Sequence, residues 1–202
     1  MPVTEIALLR LKTEGLLPST KAGLLEAQQA QSEQSNHKVH LLRQVEDAAC
    51  IYLLGGWESI EKHMNDWIPS ATNQRLLQQL QGDLEVKWMF HLDLDPSTSQ
   101  IPLDAPMLAI SRYFVDSLNK EEFENILRAG GSNLVVSTPF PCCGGWRIDR
   151  DGEDEEFVLF SGWKEVDDYF GIVDSEGLKG FREIEGLIKG VEVKQIRSEE
   201  SL

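Results

Sequence analysis

The chain has 202 residues, 41% of them hydrophobic, enough to bury a core in one domain or in two compact halves. Nineteen basic against 34 acidic residues leave a formal charge of −15, and no Lys/Arg-rich run occurs, which argues against nucleic acid or an anionic membrane as partner. Residues 1–14 lack the basic start and apolar stretch of a signal peptide, no apolar run approaches a membrane span, and three cysteines make no disulfide framework, so a cytoplasmic protein is expected.

Residues 4–12 are apolar on both alternations, as in a strand covered on both faces. Gly15 and Pro18 break the run, and Ser19 or Thr20 can cap a helix reaching Ser35. Val39 to Arg43 and Cys50 to Leu54 read as paired strands around a turn at Glu46-Asp47. Gly55-Gly56 is expected to turn the backbone out of the sheet into a helix starting near Trp57. On it, Ile60, Met64, Trp67 and Ile68 form one apolar stripe, Pro69-Ser70 interrupts, and a further helix spans 72–81. Leu84 to Leu92 is a fourth strand.

About a hundred residues further on the pattern returns. Phe157-Val158-Leu159-Phe160-Ser161-Gly162-Trp163 answers Ile51-Tyr52-Leu53-Leu54-Gly55-Gly56-Trp57, and Val191-Glu192-Val193-Lys194 answers Leu84-Glu85-Val86-Lys87. The second copy reads as strand 107–115, helix 120–129, strands 146–149 and 156–160, helix 164–173 and strand 191–196, with the Pro/Ser/Thr/Asp stretch 93–106 as linker. Between its first helix and second strand lies an apparent insertion, 130–145, with the β-prone Leu134-Val135-Val136 and a turn at Pro139 to Gly145. Cys142-Cys143 within it lacks the spacing of a zinc or thiol-exchange pair.

Each half is thus β-α-β-β-α-β, and the fold class is α+β: two tandem ferredoxin-like repeats, 1–95 and 105–202. Such a sheet has helices on one face and a bare face to bury, and the simplest partner is its own copy, giving a pseudo-dimeric α+β barrel. The tandem copies and the sequence Gly56-Trp57-Glu58-Ser59, with Trp67 and Ser70 downstream, resemble the antibiotic biosynthesis monooxygenase-like family of dimeric α+β barrels. The resemblance implies a small-molecule enzyme, such as a cofactor-independent monooxygenase, isomerase or cyclase acting on an aromatic or polyketide-like substrate in a sheet-helix cleft. The family also includes heme-degrading oxygenases; for this chain no cofactor and no metal are expected. The chain departs from the pattern at Trp67, where the family carries a His; this counts against heme and favours the alternative of a non-catalytic binding or assembly protein. A homo-oligomer is compatible with either reading.

Candidate residues follow from polar groups on apolar faces. His63 and its counterpart Tyr169 are candidates for general base and phenolic donor; the competing reading is a partly exposed His and an ordinary buried Tyr. Arg10 and Arg112 hold equivalent places inside the first strands, where a charge is paired either with a carboxylate of the other half or with an anionic ligand. Recurrence in both copies favours the structural pairing. Trp67, Trp88 and Tyr113 are candidate linings of the cleft, Trp57 and Trp163 braces of the strand-helix corner. His37, His40 and His91 make no local ligand cluster.

Overall fold

A computed structural model describes residues 1–149, 154–168 and 184–197, with 129–137 as backbone alone. The chain divides into two compact units, with the boundary between Ser99 and Gln100. Both are four-stranded antiparallel sheets with helices, two tandem ferredoxin-like units of the α+β class. No described helix is long and apolar enough to cross a membrane.

In the first unit β1 (Val3–Leu11), α1 (Pro18–Ser35), β2 (His40–Arg43), β3 (Cys50–Trp57), α2 (Ala71–Leu80) and β4 (Leu84–Leu92) follow one another, and the strand order is β2-β3-β1-β4. Helix α1 ends where Asn36 adopts φ 58°, a conformation Asn tolerates. Its expected cap is absent: Thr20 Oγ1 instead donates to Asp83 Oδ2 at 2.6 Å, fastening the helix to the turn before β4. Helix α2 is capped by Ser70, whose Oγ accepts from the Asn73 N–H at 3.1 Å. Between sheet and helices lies a core containing Leu9, Leu11, Leu24, Ile51 and Leu80.

Three details differ from the sequence reading, and all three shape the site. Strand β3 runs straight through Gly55-Gly56 to Trp57, without a left-handed φ at either glycine. The glycines serve close approach: a Cβ on Gly55 would lie 2.9 Å from Gln31 Nε2 and 3.3 Å from Glu5 Oε2, and one on Gly56 would lie 2.6 Å from Pro96. Next, residues Lys62–Trp67 form a π-helical turn, closed by the Ile68 N–H to His63 C=O bond at 2.9 Å. Its wider turn replaces the expected stripe, so His63 and Trp67 are buried while Met64 is 40% exposed. Third, β4 carries a bulge: Leu8 pairs with Trp88 but Leu9 with Val86, so Lys87 is extra and the faces of the strand exchange there.

In the second unit β5 (Met107–Val115), α3 (Lys120–Ser137), β6 (Cys142–Trp146), β7 (Glu155–Trp163) and β8 (Ile188–Arg197) build a sheet of order β6-β7-β5-β8. The apparent insertion is resolved into regular elements. The backbone of α3 continues to Ser137, and Cys142-Cys143-Gly144-Gly145 is strand rather than turn, paired with Val158 to Ser161 of β7. Residues 169–173 of the second helix expected in this unit, Tyr169 among them, lie outside the described residues.

Candidate functional site

The site of the first unit is assembled from β1, β3, β4, α1 and the π-helical turn. Glu5 on β1 pairs in register with Gly55 of β3 and His91 of β4, so all three share the helix-facing side of the sheet. Helix α1 brings Gln31 against Glu5, and the π turn lowers His63 onto Trp57.

Glu5 is 4% exposed, and its Oε2 accepts from Gln31 Nε2 and from Trp57 Nε1, both at 2.7 Å. Burial pushes this carboxyl up from its ordinary value, against the opposing pull of the Trp57 N–H, the His91 ring and Gln31. His63 Nε2 lies 3.6 Å from the same carboxyl oxygen, and His63 Nδ1 is 2.7 Å from His91 Nε2. Because two imidazole nitrogens at that distance share one hydrogen, one ring donates and the other accepts. Both rings are sealed from bulk solvent, His63 at 1% and His91 at 0% exposure. The indole of Trp57 lies flat on His63, with ring centroids 4.4 Å apart and planes 11° from parallel.

These groups form a line, Glu5 to His63 to His91, with carboxylate and second imidazole on opposite edges of the central ring. They do not converge on one point as metal ligands must, and no group of three or more donors suited to a metal occurs among the described residues. The line suits proton movement instead.

Glu5, His63 and Trp67 line a cavity of about 870 Å³ between sheet and helices, with Ala7, Leu9, Leu24 and Met89 among its apolar wall. A volume of that size fits a molecule of several fused rings.

The other expected site residues are placed as follows. Trp88 is on the opposite face of the sheet, edge-on to Tyr52 at 5.8 Å and stacked on Phe90 at 5.2 Å. Arg10 also leaves on that side and is ion-paired with Asp47 at 2.7 Å, partly in solvent. Arg112, 9% exposed, is held by Glu156 at 2.6 Å and Glu192 at 2.9 Å. Both arginines are therefore paired within their own unit; Glu192 is the cross-strand partner of Arg112, which makes the local carboxylate the nearest one. Tyr113 packs on Phe123 at 5.5 Å in the core of the second unit. Burial pushes the thiols of Cys142 and Cys143 up to about 12 and about 11, so neither offers a thiolate near neutral pH.

Glu5, Gln31 and His91 were not picked out from the sequence. An acidic residue in an otherwise apolar strand was the available signal at Glu5, and it was as visible as the arginine at position 10. Among the described residues of the second unit, the indole N–H of Trp163 goes to Ser161 Oγ at 2.9 Å, where Trp57 of the first unit reaches Glu5.

No protein-family model matches the sequence, and comparison with curated proteins finds no relative. Solved structures do match in fold. An anthrone oxidase-like protein superposes on 100% of this chain and 91% of its own, with a TM-score of 0.70 at 12% identity. A candidate monooxygenase from Fusobacterium nucleatum covers 97% of this chain and 91% of its own, at TM-score 0.67 and 12% identity. A dye-decolorizing peroxidase from Bacteroides thetaiotaomicron reaches 0.60 at 5% identity, over 97% and 92% of the two chains. The chain thus shares the fold of these structures. The chemistries in these names differ, so the fold by itself selects none of them.

Proposed function

We propose that the first unit is a small-molecule oxygenase that works without metal or organic cofactor on an aromatic or polyketide-like compound bound in the cavity. The observation that carries this reading is the buried Glu5–His63–His91 line, of which Glu5 and His63 border a largely apolar cavity. A CH2 group conjugated with a carbonyl through aromatic rings gives up a proton to His63 Nε2, and the C–H electron pair stays on carbon as a delocalised carbanion. As Nε2 gains this proton, Nδ1 passes its own to His91 Nε2, so His63 remains neutral with its tautomer reversed. The carbanion is electron-rich enough to reduce O2 directly. Carbon–oxygen bond formation and return of the proton give a hydroperoxide, which loses water to leave a ketone. In sum CH2 and O2 become C=O and H2O, and the substrate supplies all four electrons. Trp57, flat on His63, keeps the ring in place, and Trp67 offers an aromatic surface to the substrate.

A second reading, a binding or assembly protein without chemistry, is favoured by Trp67 standing where the resembling family has a His. Native mass spectrometry beside a denatured sample reports any co-purifying molecule and the assembly mass. Oxygen uptake with anthrone as probe then separates the readings. One O2 consumed per anthrone, and at least a hundredfold less turnover in His63→Ala, supports the oxygenase. Unchanged turnover in His63→Ala removes His63 from the chemistry, and a bound ligand without oxygen uptake favours the second reading.

A further inference from the structure

The helix side of the cavity carries an order of its own. Six side-chain amides line it, and four of them have their NH2 groups tied down: Gln28 and Gln31 from α1, and Asn73 and Gln74 from the start of α2. Each commits its NH2 to an atom that accepts. Gln28 Nε2 donates to the Val39 carbonyl at 2.8 Å, Asn73 Nδ2 and Gln74 Nε2 donate to the Ile68 carbonyl at 2.9 and 2.8 Å, and Gln31 Nε2 donates to Glu5 Oε2. A backbone carbonyl has no hydrogen to give, and Glu5 Oε2 already accepts from Trp57, so chemistry fixes which end of each amide points at the protein. The oxygens are the ends left over.

Gln31 and Asn73 are 6% and 8% exposed, and no described residue donates to their side-chain oxygens. Yet among the buried side-chain nitrogen and oxygen atoms of the described residues, Arg43 Nε alone lacks a partner. The two oxygens are therefore not sealed in protein; they meet open space, and the space beside them is the cavity. Gln28, half-buried, and Gln74, exposed, line the same cavity. The cation among the described lining residues, Arg75, is already held by Glu26 at 2.7 Å. An anionic ligand would face amide oxygens and Glu5 without a counter-charge, and a ligand bearing ethers alone would leave the oxygens without donors.

We propose that Gln28, Gln31, Asn73 and Gln74 make the cavity select a neutral, multiply hydroxylated ligand, whose O–H groups donate to the amide oxygens while its apolar body lies against the sheet. This rests on the cavity being a small-molecule site and is independent of any oxygen chemistry. The test is binding, read by quenching of tryptophan fluorescence, below the phenol pKa. The probes are 2,6-dihydroxyanthraquinone, its 2,6-dimethoxy ether and anthraquinone-2-carboxylate. The diol is expected to bind about tenfold or more tightly than the ether, from one net hydrogen bond or more, with the carboxylate weakest. Gln74→Leu, at an exposed position, and Gln28→Met are expected to lower the diol-to-ether ratio severalfold. Equal affinities for diol and ether, or tightest binding of the carboxylate, overturn the acceptor wall and leave the cavity as a ligand site. Failure of all three probes to bind overturns the ligand-site reading and the proposal with it.

Discussion

Trp57 holds Glu5 and His63 at once: its indole N–H reaches Glu5 Oε2 at 2.7 Å while its face lies 4.4 Å from the His63 ring. One side chain at the end of β3 thus fixes both the acid and the imidazole. This asks more of it than bracing a corner. An indole can do both because its donor lies in the ring plane and its π surface lies across it.

Trp57→Phe separates the two tasks. A phenyl ring keeps part of the stack but has no N–H, leaving the buried carboxyl with one donor fewer. The expected loss is about 1–3 kcal/mol, read from urea denaturation. The Glu5 carboxyl is expected to rise further, because the Trp57 N–H is the largest of the interactions that hold it down. Carbon-detected NMR titration of Glu5 is the sharper measurement. An unchanged Glu5 titration in the variant would show that the indole bond does not act on the carboxyl.

Glu5 itself makes stability depend on pH. Its folded-state pKa is raised, so its contribution is fully present below the ordinary carboxylate range, where folded and unfolded chains both keep the proton. As pH climbs, the unfolded chain ionises first, and stability is lost until pH passes the raised folded value. Each unit of separation corresponds to about 1.4 kcal/mol. Glu5→Gln has no proton to lose. Urea midpoints of wild type and variant between acid and neutral pH are therefore expected to converge or cross, with the wild type losing ground as pH rises. Parallel curves would mean that Glu5 is not buried as described.

The fold was legible because its signals are local or repetitive. Apolar runs bounded by Gly, Pro and Asp mark β1, β4 and β5, and the Gly55-Gly56-Trp57 and Ser161-Gly162-Trp163 echo marks two units. The site was less so because it depends on departures from regular periods. Counting by twos from Leu84 puts Val86, Trp88 and Phe90 on one face and His91 on the other. The bulge at Lys87 exchanges the faces, so His91 joins Leu84 on the helix side and Trp88 leaves it. Counting by α-helical turns puts Met64 inward, and the π turn substitutes His63. Neither irregularity has a strong sequence signature. Glu5 and Gly55, in contrast, lie on regular strand positions, where pleat parity alone places them together.

Arg10 and Arg112, equivalent in the repeat, have unlike surroundings and give unlike predictions. Arg112 is buried among Glu156 and Glu192, and Glu156 also receives Arg147 at 3.3 Å. Arg112→Met strands part of this negative charge in a dry place, and a loss of about 3 kcal/mol in unfolding free energy is expected. Arg10→Met removes a pair standing in water, so its effect is far smaller and fades with added salt. Thermal or urea unfolding of both variants at low and high salt checks this. Equal losses would contradict the difference in burial.

His91 offers the most direct view of the proposed proton path, because it touches His63 and does not line the cavity. A side chain outside the cavity has little means of altering how a ligand binds. It can alter whether His63 Nδ1 gives its hydrogen away as Nε2 takes one. Gln at position 91 can keep a hydrogen bond to Nδ1 but cannot carry a proton onward. His91→Gln is therefore expected to lower kcat for anthrone oxidation about tenfold or more while KM stays near the wild-type value. Nitrogen-15 spectra of the imidazoles add a readout that needs no substrate: the wild type shows a hydrogen shared between His63 Nδ1 and His91 Nε2, and the variant leaves His63 in one tautomer. A fall confined to KM, or imidazole signals without a shared hydrogen, would make His91 a packing residue and end the path at His63.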